Sequence, residues 1–141
     1  MAFLNSLNTL GSALTAQRLR TDIAAQNISN QNNVASSPEE AYKRKQVVFE
    51  TKPMTFDDAL TKAQGGGVIV KQIVDLDEDP IPVYDPSNPL CDENGYVYKA
   101  NVNASEEMID LMNATRSYET TITAISVIKA MAAKALEIGK Q

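Results

Sequence analysis

Residues 108–136 read MIDLMNATRSYETTITAISVIKAMAAKAL, and mostly apolar side chains recur in them at alternating steps of three and four. Such steps return side chains to one face of an α-helix about every 3.5 residues, which is the spacing of a coiled-coil seam. The sequence therefore predicts a long C-terminal helix with one largely apolar face. The seam positions are Met108, Leu111, Thr115, Tyr118, Ile122, Ile125, Lys129, Ala132 and Leu136.

A second stripe with the same spacing lies at the start of the chain. Helices of roughly 28 and 34 residues would be about 40 and 50 Å long, at ~1.5 Å per residue. Rods of that length extend beyond a small globular core, so we expect each stripe to be covered by the other or by neighbouring subunits. The N-terminal positions are Phe3, Leu7, Leu10, Leu14, Gln17, Thr21, Ala24 and Ile28.

Packing of the two helices on each other within one chain is the simpler explanation of both stripes. Four seam positions are polar, however: Gln17, Thr21, Thr115 and Lys129. Polar seam residues weaken a self-contained core but can specify register among several helices. The pattern therefore favours packing between subunits. The predicted assembly interface consists of Leu7, Leu10, Leu14, Ile28, Met108, Leu111, Tyr118, Ile122, Ile125 and Leu136.

The middle of the chain has strand and turn signals instead. Residues 43–50 and 68–74 read as strands, and five of the seven residues in the second are β-branched and apolar. Asn94-Gly95 is a strong hairpin-turn signal, and we expect a strand at 96–98 after it. Composition predicts a loop at 30–39, a short helical turn at 55–63 and no regular helix from 79 to 90, where four prolines lie.

The second helix has a recognisable start and stop. Asn103 can cap it, Glu106 can close a capping box, and Gly139 suits the position after its end. The predicted fold is therefore mainly α: long N- and C-terminal helices packed in coiled-coil fashion, with a small β-rich inserted module. The expected divisions are 1–33 for the N-terminal helix, 34–102 for the loop and insert, and 103–141 for the C-terminal helix.

Charge is distributed unevenly along the 141 residues, whose net charge is −5. Residues 53–112 hold three basic and twelve acidic side chains, or −9. Residues 1–52 have six against four and residues 113–141 four against two, so each end has +2. An acidic chain without a dense basic face argues against nucleic-acid binding.

The N-terminal stripe is not expected to be a signal peptide. It has no basic side chain before Arg18, and polar residues interrupt any continuous apolar region. No segment approaches the ~20 consecutive apolar residues of a membrane span. We therefore expect the protein to stay in the cytoplasm or to leave by a route that keeps its N-terminus.

Chemistry-bearing motifs are weak. The chain has no His, and its single Cys91 cannot form an intrachain disulfide. Residues 75–79 imitate the start of an EF-hand loop, but Pro80 and Pro86 stand where that loop needs Gly and Glu. Gly65-Gly66-Gly67 lacks the Gly-Lys-Ser/Thr of a phosphate loop and reads as a flexible loop. No catalytic residues, cofactor or metal site is predicted, and the chain is not expected to be an enzyme.

The short basic run Lys43-Arg44-Lys45 has two explanations. Such a run is usually a solvated strand edge, where Lys discourages unwanted strand pairing. It could instead contact an acidic neighbour. The sequence alone leaves both open.

Residues 12–30, SALTAQRLRTDIAAQNISN, resemble the N-terminal signature of the bacterial flagellar rod and hook proteins. Residues 101–108 and 115–119 resemble the C-terminal half of the same family. The segments at 42–49 and 83–97 are similar to those of its small proximal rod members. The chain departs from the family at Ser29, where Ala is usual, at Gln26, and in the loop 32–37.

The resemblance implies a structural component of the flagellar basal-body proximal rod that polymerises helically as part of the drive shaft for motility. Its terminal helices would line the tube wall and its insert would face outward. The implied location is the periplasm-spanning rod, reached through flagellar type III export without a cleaved signal peptide. The implied partners are other copies, other rod proteins, the rod base with its MS-ring-side adaptor proteins, and the export apparatus.

A different class of function remains open on the residues alone. A soluble helical adaptor or secretion chaperone could bind a partner helix through one seam. Such a protein would be folded and stable by itself.

Overall fold

A computed structural model of the chain describes residues 2–53 and 66–139. In these residues two helices, α1 (Ala2–Asn30) and α2 (Ala104–Ile138), flank a series of short strands. The prediction of a helix-rich chain with long terminal helices and small sheets between them is confirmed, whereas coiled-coil packing is not. The strands are β1 (Val34–Ala35), β2 (Lys45–Thr51), β3 (Val68–Asp75), β4 (Ile81–Tyr84) and β5 (Tyr96–Lys99). The helical turn predicted at 55–63 lies outside the described residues.

The chain forms two compact units, and each helix contributes to both. The first unit comprises Met1–Leu19, Val48–Gln72 and Asn113–Gln141, and the second comprises Arg20–Val47 and Ile73–Met112. Strands β2 and β3 form a two-stranded sheet, and the order β1-β5-β4 forms a three-stranded one. The strands β1 and β4 were not predicted, because they depend on pairing with β5 and their own sequences read as loop and proline-rich turn.

The N-terminus of α2 is capped as predicted. The Oδ1 of Asn103 accepts the Ser105 N–H at 3.1 Å, which satisfies one of the free amides of the first turn. Glu106 does approach Asn103, but its Oε1 accepts from the side-chain Nδ2 at 3.1 Å. The side chains of Asn103 and Glu106 therefore meet, but this bond is not that of a capping box, in which the glutamate accepts from the backbone N–H of the cap residue.

Gly66 and Gly67 are held against α1, which corrects the prediction of a flexible loop for these two residues. Thr9 Oγ1 donates to the Gly66 carbonyl at 3.0 Å, and the Val68 N–H donates to Ser12 Oγ at 3.1 Å. A Cβ on Gly67 would lie 3.0 Å from Ser12 Oγ. Glycine is needed there because the backbone passes close to the helix.

A tight turn precedes β5. The Gly95 N–H donates to the Asp92 carbonyl at 3.0 Å, so the predicted Asn94-Gly95 turn is present with Gly95 in its last position. Gly95 has φ +83°, a conformation that favours glycine. The Asp92 carboxylate accepts the Tyr96 N–H at 2.8 Å. This bond is the main reason that the pKa of Asp92 is lowered; burial opposes it, and a further bond from the Asn94 N–H adds to it.

Strand β4 lies at the edge of its sheet, and prolines occupy the positions whose amides face away from β5. The Asp85 N–H donates to the Gly95 carbonyl, so residue 85 is a hydrogen-bonded position of the ladder. Hydrogen-bonded positions alternate along an antiparallel strand, so residues 83 and 81 also direct their backbone groups to β5. Even-numbered residues direct theirs outward. Three of the four even positions from 80 to 86 lack an N–H because they are Pro80, Pro82 and Pro86. This edge therefore cannot accept another strand in a regular ladder.

Replacing Pro82 by Val should restore an outward-facing N–H and promote sheet-type aggregation. We expect the Pro82→Val chain to keep its circular dichroism spectrum but to aggregate faster on storage, as followed by thioflavin fluorescence and sedimentation. The matched control is Pro38→Val, at an exposed position outside the strands. Equal aggregation of the two variants would contradict the assignment of a proline-closed edge.

Candidate assembly interface

The side chain of Asn27 is buried in the second unit, with only 1% of its surface exposed, and it makes four hydrogen bonds. Its Nδ2 donates to the Lys45 carbonyl at 2.8 Å, and its Oδ1 accepts the Lys45 N–H at 3.0 Å. The amide therefore pairs with β2 as a neighbouring strand would. The Nδ2 also donates to Glu107 Oε2 at 2.9 Å, and Oδ1 accepts from the Tyr42 hydroxyl at 2.8 Å.

Glu107 brings a buried carboxylate from the first turn of α2 to the same place, where Arg44 neutralises it. Glu107 is 3% exposed, and its Oε1 lies 2.6 Å from Arg44 Nη2. Burial, with smaller contributions from the negative charges of Asp75 and Glu107, raises the pKa of Tyr42 above its ordinary value of 10.0. The Tyr42 hydroxyl thus keeps the proton that it donates to Asn27.

These four residues, Asn27, Tyr42, Arg44 and Glu107, form what we call the polar node. The node joins α1, the approach to β2 and the start of α2 within the second unit. An additional ion pair joins the two helices there, from Arg20 Nη2 to Asp110 Oδ1 at 2.8 Å. The hydrogen bonds and the ion pair of the node hold these elements in one arrangement.

Sequence reasoning did not predict the polar node, although all its members lie in the segments that resemble the rod family. The helical pattern was read from apolar residues, and a buried Asn or Glu has no such signal. For the basic run, the structure supports contact with acidic neighbours: Arg44 pairs with Glu107, and Lys43 pairs with Asp77 at 2.7 Å on the surface.

The predicted seam of α2 has the observed spacing, but alternate members are displaced by one residue, which turns the centre of the face by about 50° around the helix. Of its members, Leu111, Tyr118, Ile125 and Ala132 are half-buried. Met108, Ile122, Lys129 and Leu136 are exposed, whereas the residues just before the first three are buried or half-buried. The better-covered stripe comprises Glu107, Leu111, Ala114, Tyr118, Thr121, Ile125, Ile128 and Ala132.

Helix α1 shows a similar partial displacement. The predicted seam residue Ala24 is buried, but so are Ala16, Ile23 and Asn27, each one residue before a predicted seam position. Leu7, Leu10, Leu14 and Ile28 are half-buried. Asn27 and Glu107 lie in the buried stripes through their polar partners. The role of the ten predicted residues in assembly stays a prediction.

The exposed apolar surface of α2 is extensive in the described chain. Ile122 is 46% exposed and Leu136 is 70% exposed, and several other large apolar side chains of the helix are similarly open. None of the described helices is long and apolar enough to cross a membrane. Within residues 2–53 and 66–139, no group of three or more potential metal ligands comes together.

Comparison with known proteins assigns the chain to a family. A family profile described as the C-terminal region of flagellar basal body rod FlgEFG proteins matches residues 93–138. Flagellar basal-body rod protein FlgC of Bacillus subtilis is 40% identical over 99% of this chain and 100% of its own length. FlgC of Salmonella typhimurium is 39% identical with the same coverage, and FlgC of Borreliella burgdorferi is 35% identical over 98% of each chain.

These matches identify the class of the protein as a structural component of the flagellar basal-body rod, which is not an enzyme. Two long helices with exposed apolar surface and a structural polar node are consistent with that class. Within that class the chain belongs to the family of the flagellar basal-body rod protein FlgC.

Replacing Asn27 by Ala should destabilise the second unit strongly. The substitution leaves Glu107 and the Lys45 backbone without one or more of their partners, and each unsatisfied buried group costs about 1–3 kcal/mol. We expect the free energy of unfolding in urea to fall by about 3 kcal/mol. Asn8→Ala, at an exposed position of α1, is the control and should change little. A loss no larger than that of the control would show that the polar node does not stabilise the fold.

Replacing Arg44 by Ala should also be costly, because it leaves the buried Glu107 carboxylate without its counter-charge. We expect a loss of about 3 kcal/mol in urea unfolding. Lys43→Ala is the control: it removes the neighbouring cation, whose pair with Asp77 is exposed, and should have little effect. The double variant Asn27→Ala with Arg44→Ala should lose less than the sum of the two, since both act on Glu107. Additive losses would contradict a shared network.

Proposed function

We propose that this chain is a subunit of the proximal part of the flagellar rod and polymerises helically through its terminal helices. The observation that carries the proposal is the apolar surface that α2 leaves exposed, from Met108 to Leu136. Large apolar side chains left exposed along one helix in this number are typical of a protein–protein interface. Full-length similarity to flagellar basal-body rod proteins supports a place in the basal body, with other rod components as neighbours.

The location and route follow from the same proposal. Rod subunits lie outside the cytoplasm, and we propose export through the flagellar type III apparatus with the N-terminus retained. Proposed contacts within the basal body are other copies of the chain, neighbouring rod proteins and the adaptor proteins at the rod base. The exposed faces of both end helices would supply them.

A helical adaptor or secretion chaperone is the weaker explanation. A chaperone of that kind needs one accessible helix face, whereas here apolar residues are exposed on both terminal helices: Phe3 and Leu4 on α1, and Ile122 among others on α2. Similarity over the whole length to rod proteins also favours the structural role.

Replacing Ile122 by Asp should block assembly without unfolding the single chain. Ile122 is exposed in the isolated chain, so the carboxylate stays hydrated there, but in a packed interface an unpaired charge costs several kcal/mol. We expect swimming and rod yield to be lost in cells that carry only Ile122→Asp, while the purified variant keeps its circular dichroism spectrum. Leu14→Asp should also block assembly, but Leu14 is half-buried, so we expect that variant to lose monomer stability as well.

The control is Thr120→Asp, an exposed position about 160° away around the same helix. It should swim and give normal basal bodies. Normal basal bodies containing Ile122→Asp would overturn the assignment of this helix face to assembly. Absence of the tagged natural sequence from purified basal bodies would overturn the rod function itself.

A further inference from the structure

The three-stranded sheet carries an aromatic surface on one side. Tyr84 and Tyr96 are register partners whose ring centroids lie 5.3 Å apart in an edge-on arrangement, and Tyr98 and Pro82 form the next pair. Side chains two residues apart and those of register partners share a face, so all four lie on the same side. Tyr84 is 65% and Tyr96 40% exposed, whereas Val97 on the opposite side is 2% exposed. We call this outward surface the tyrosine face.

A carboxylate lies beside the tyrosine face. Asp92 Oδ2 lies 3.4 Å from the Tyr98 hydroxyl. Aromatic rings attract cations over their faces, and nearby carboxylates strengthen that attraction. A surface of this composition suits an apolar partner that carries a Lys or Arg among its aliphatic side chains.

The two units of the chain have opposite charge. The second unit, which contains the tyrosine face, has five basic and thirteen acidic side chains, a net charge of −8. The first unit has eight basic and five acidic side chains, a net charge of +3. Charge complementarity of this kind favours contact between the first unit of one copy and the second unit of another.

The first unit presents one surface of the required composition. Ile122, Lys129 and Leu136 lie at steps of seven on α2, so they share a helix face, and all three are exposed. A single cation stands between two aliphatic side chains there. We call this surface the Lys129 face.

We propose that the tyrosine face of one copy binds the Lys129 face of the next copy. The contact joins two different surfaces, so it is heterologous, and repeating it gives an open helical array instead of a closed dimer. The inference rests on the proposed rod function and adds to it the pair of surfaces that meet. In this contact Lys129 lies over the tyrosine rings near the Asp92 carboxylate, and the two aliphatic side chains pack on the rings.

Photochemical cross-linking of the assembled chain tests this contact. A benzoylphenylalanine at Tyr84 of the full-length tagged chain, in cells that lack the natural copy, should cross-link to peptides from residues 117–140. Mixing ¹⁴N- and ¹⁵N-labelled chains in reassembly should show that the link joins two copies. The control is the same probe at Val83, which is exposed on the opposite side of the sheet and should not give this product.

A charge reversal provides the second measurement. Lys129→Glu should lower the Tyr84 cross-link about five-fold or more, because a contact of about 1 kcal/mol is replaced by repulsion. Lys134→Glu is the control, since Lys134 lies on another face and pairs with Glu137 at 3.2 Å. It should leave the yield nearly unchanged.

The outcomes separate this contact from the rod function. Cross-links of Tyr84 only to other polypeptides, no cross-link at all, or equal effects of the two Lys variants would overturn the contact, while the tagged chain in purified basal bodies would leave the rod function standing. Absence of the chain from basal bodies would overturn both.

Discussion

The arrangement of the second unit depends on a single buried amide. Asn27 offers two N–H donors and an oxygen with two lone pairs, and all four bonds are made: two with the Lys45 backbone, one with Tyr42 and one with Glu107. A satisfied hydrogen bond contributes only about 1 kcal/mol net, but an unsatisfied buried group costs about 1–3 kcal/mol. Displacing α1, β2 or α2 would therefore break several bonds at once. The main effect of the polar node is therefore to select one arrangement of these elements, and its net contribution to stability is smaller.

The parts of the fold that depend on local signals could be predicted from the sequence. The helices follow from apolar periodicity, the start of α2 from the short-range chemistry of Asn103, and β3 from its β-branched residues. Strands β1 and β4 exist only because β5 pairs with them, so their own sequences do not indicate them. The prolines at β4 argued only against a helix, and they fit an edge strand whose outward positions need no N–H.

The same distinction holds for the candidate interface. The heptad spacing of both stripes is present in the burial of the helices, but some of the covered positions lie one residue before the predicted ones. The pattern of apolar residues alone could not predict which face is covered. Asn27 and Glu107 are buried on that face because residues distant in sequence supply their hydrogen bonds and a counter-charge. The displacement leaves Met108 and Ile122 beside the covered stripe, where they are available to another chain.

Two features of the fold restrict how copies can associate. Strand pairing is closed at β4, because Pro80, Pro82 and Pro86 remove the outward N–H groups that a further strand would need. The exposed apolar residues of α2 and the tyrosines of the small sheet remain open instead. Backbone pairing is tolerant of sequence and of register, whereas side-chain surfaces are specific in both. With the β4 edge closed, contacts between copies at this sheet depend on side-chain surfaces, which specify the register of the contact more narrowly than backbone pairing would.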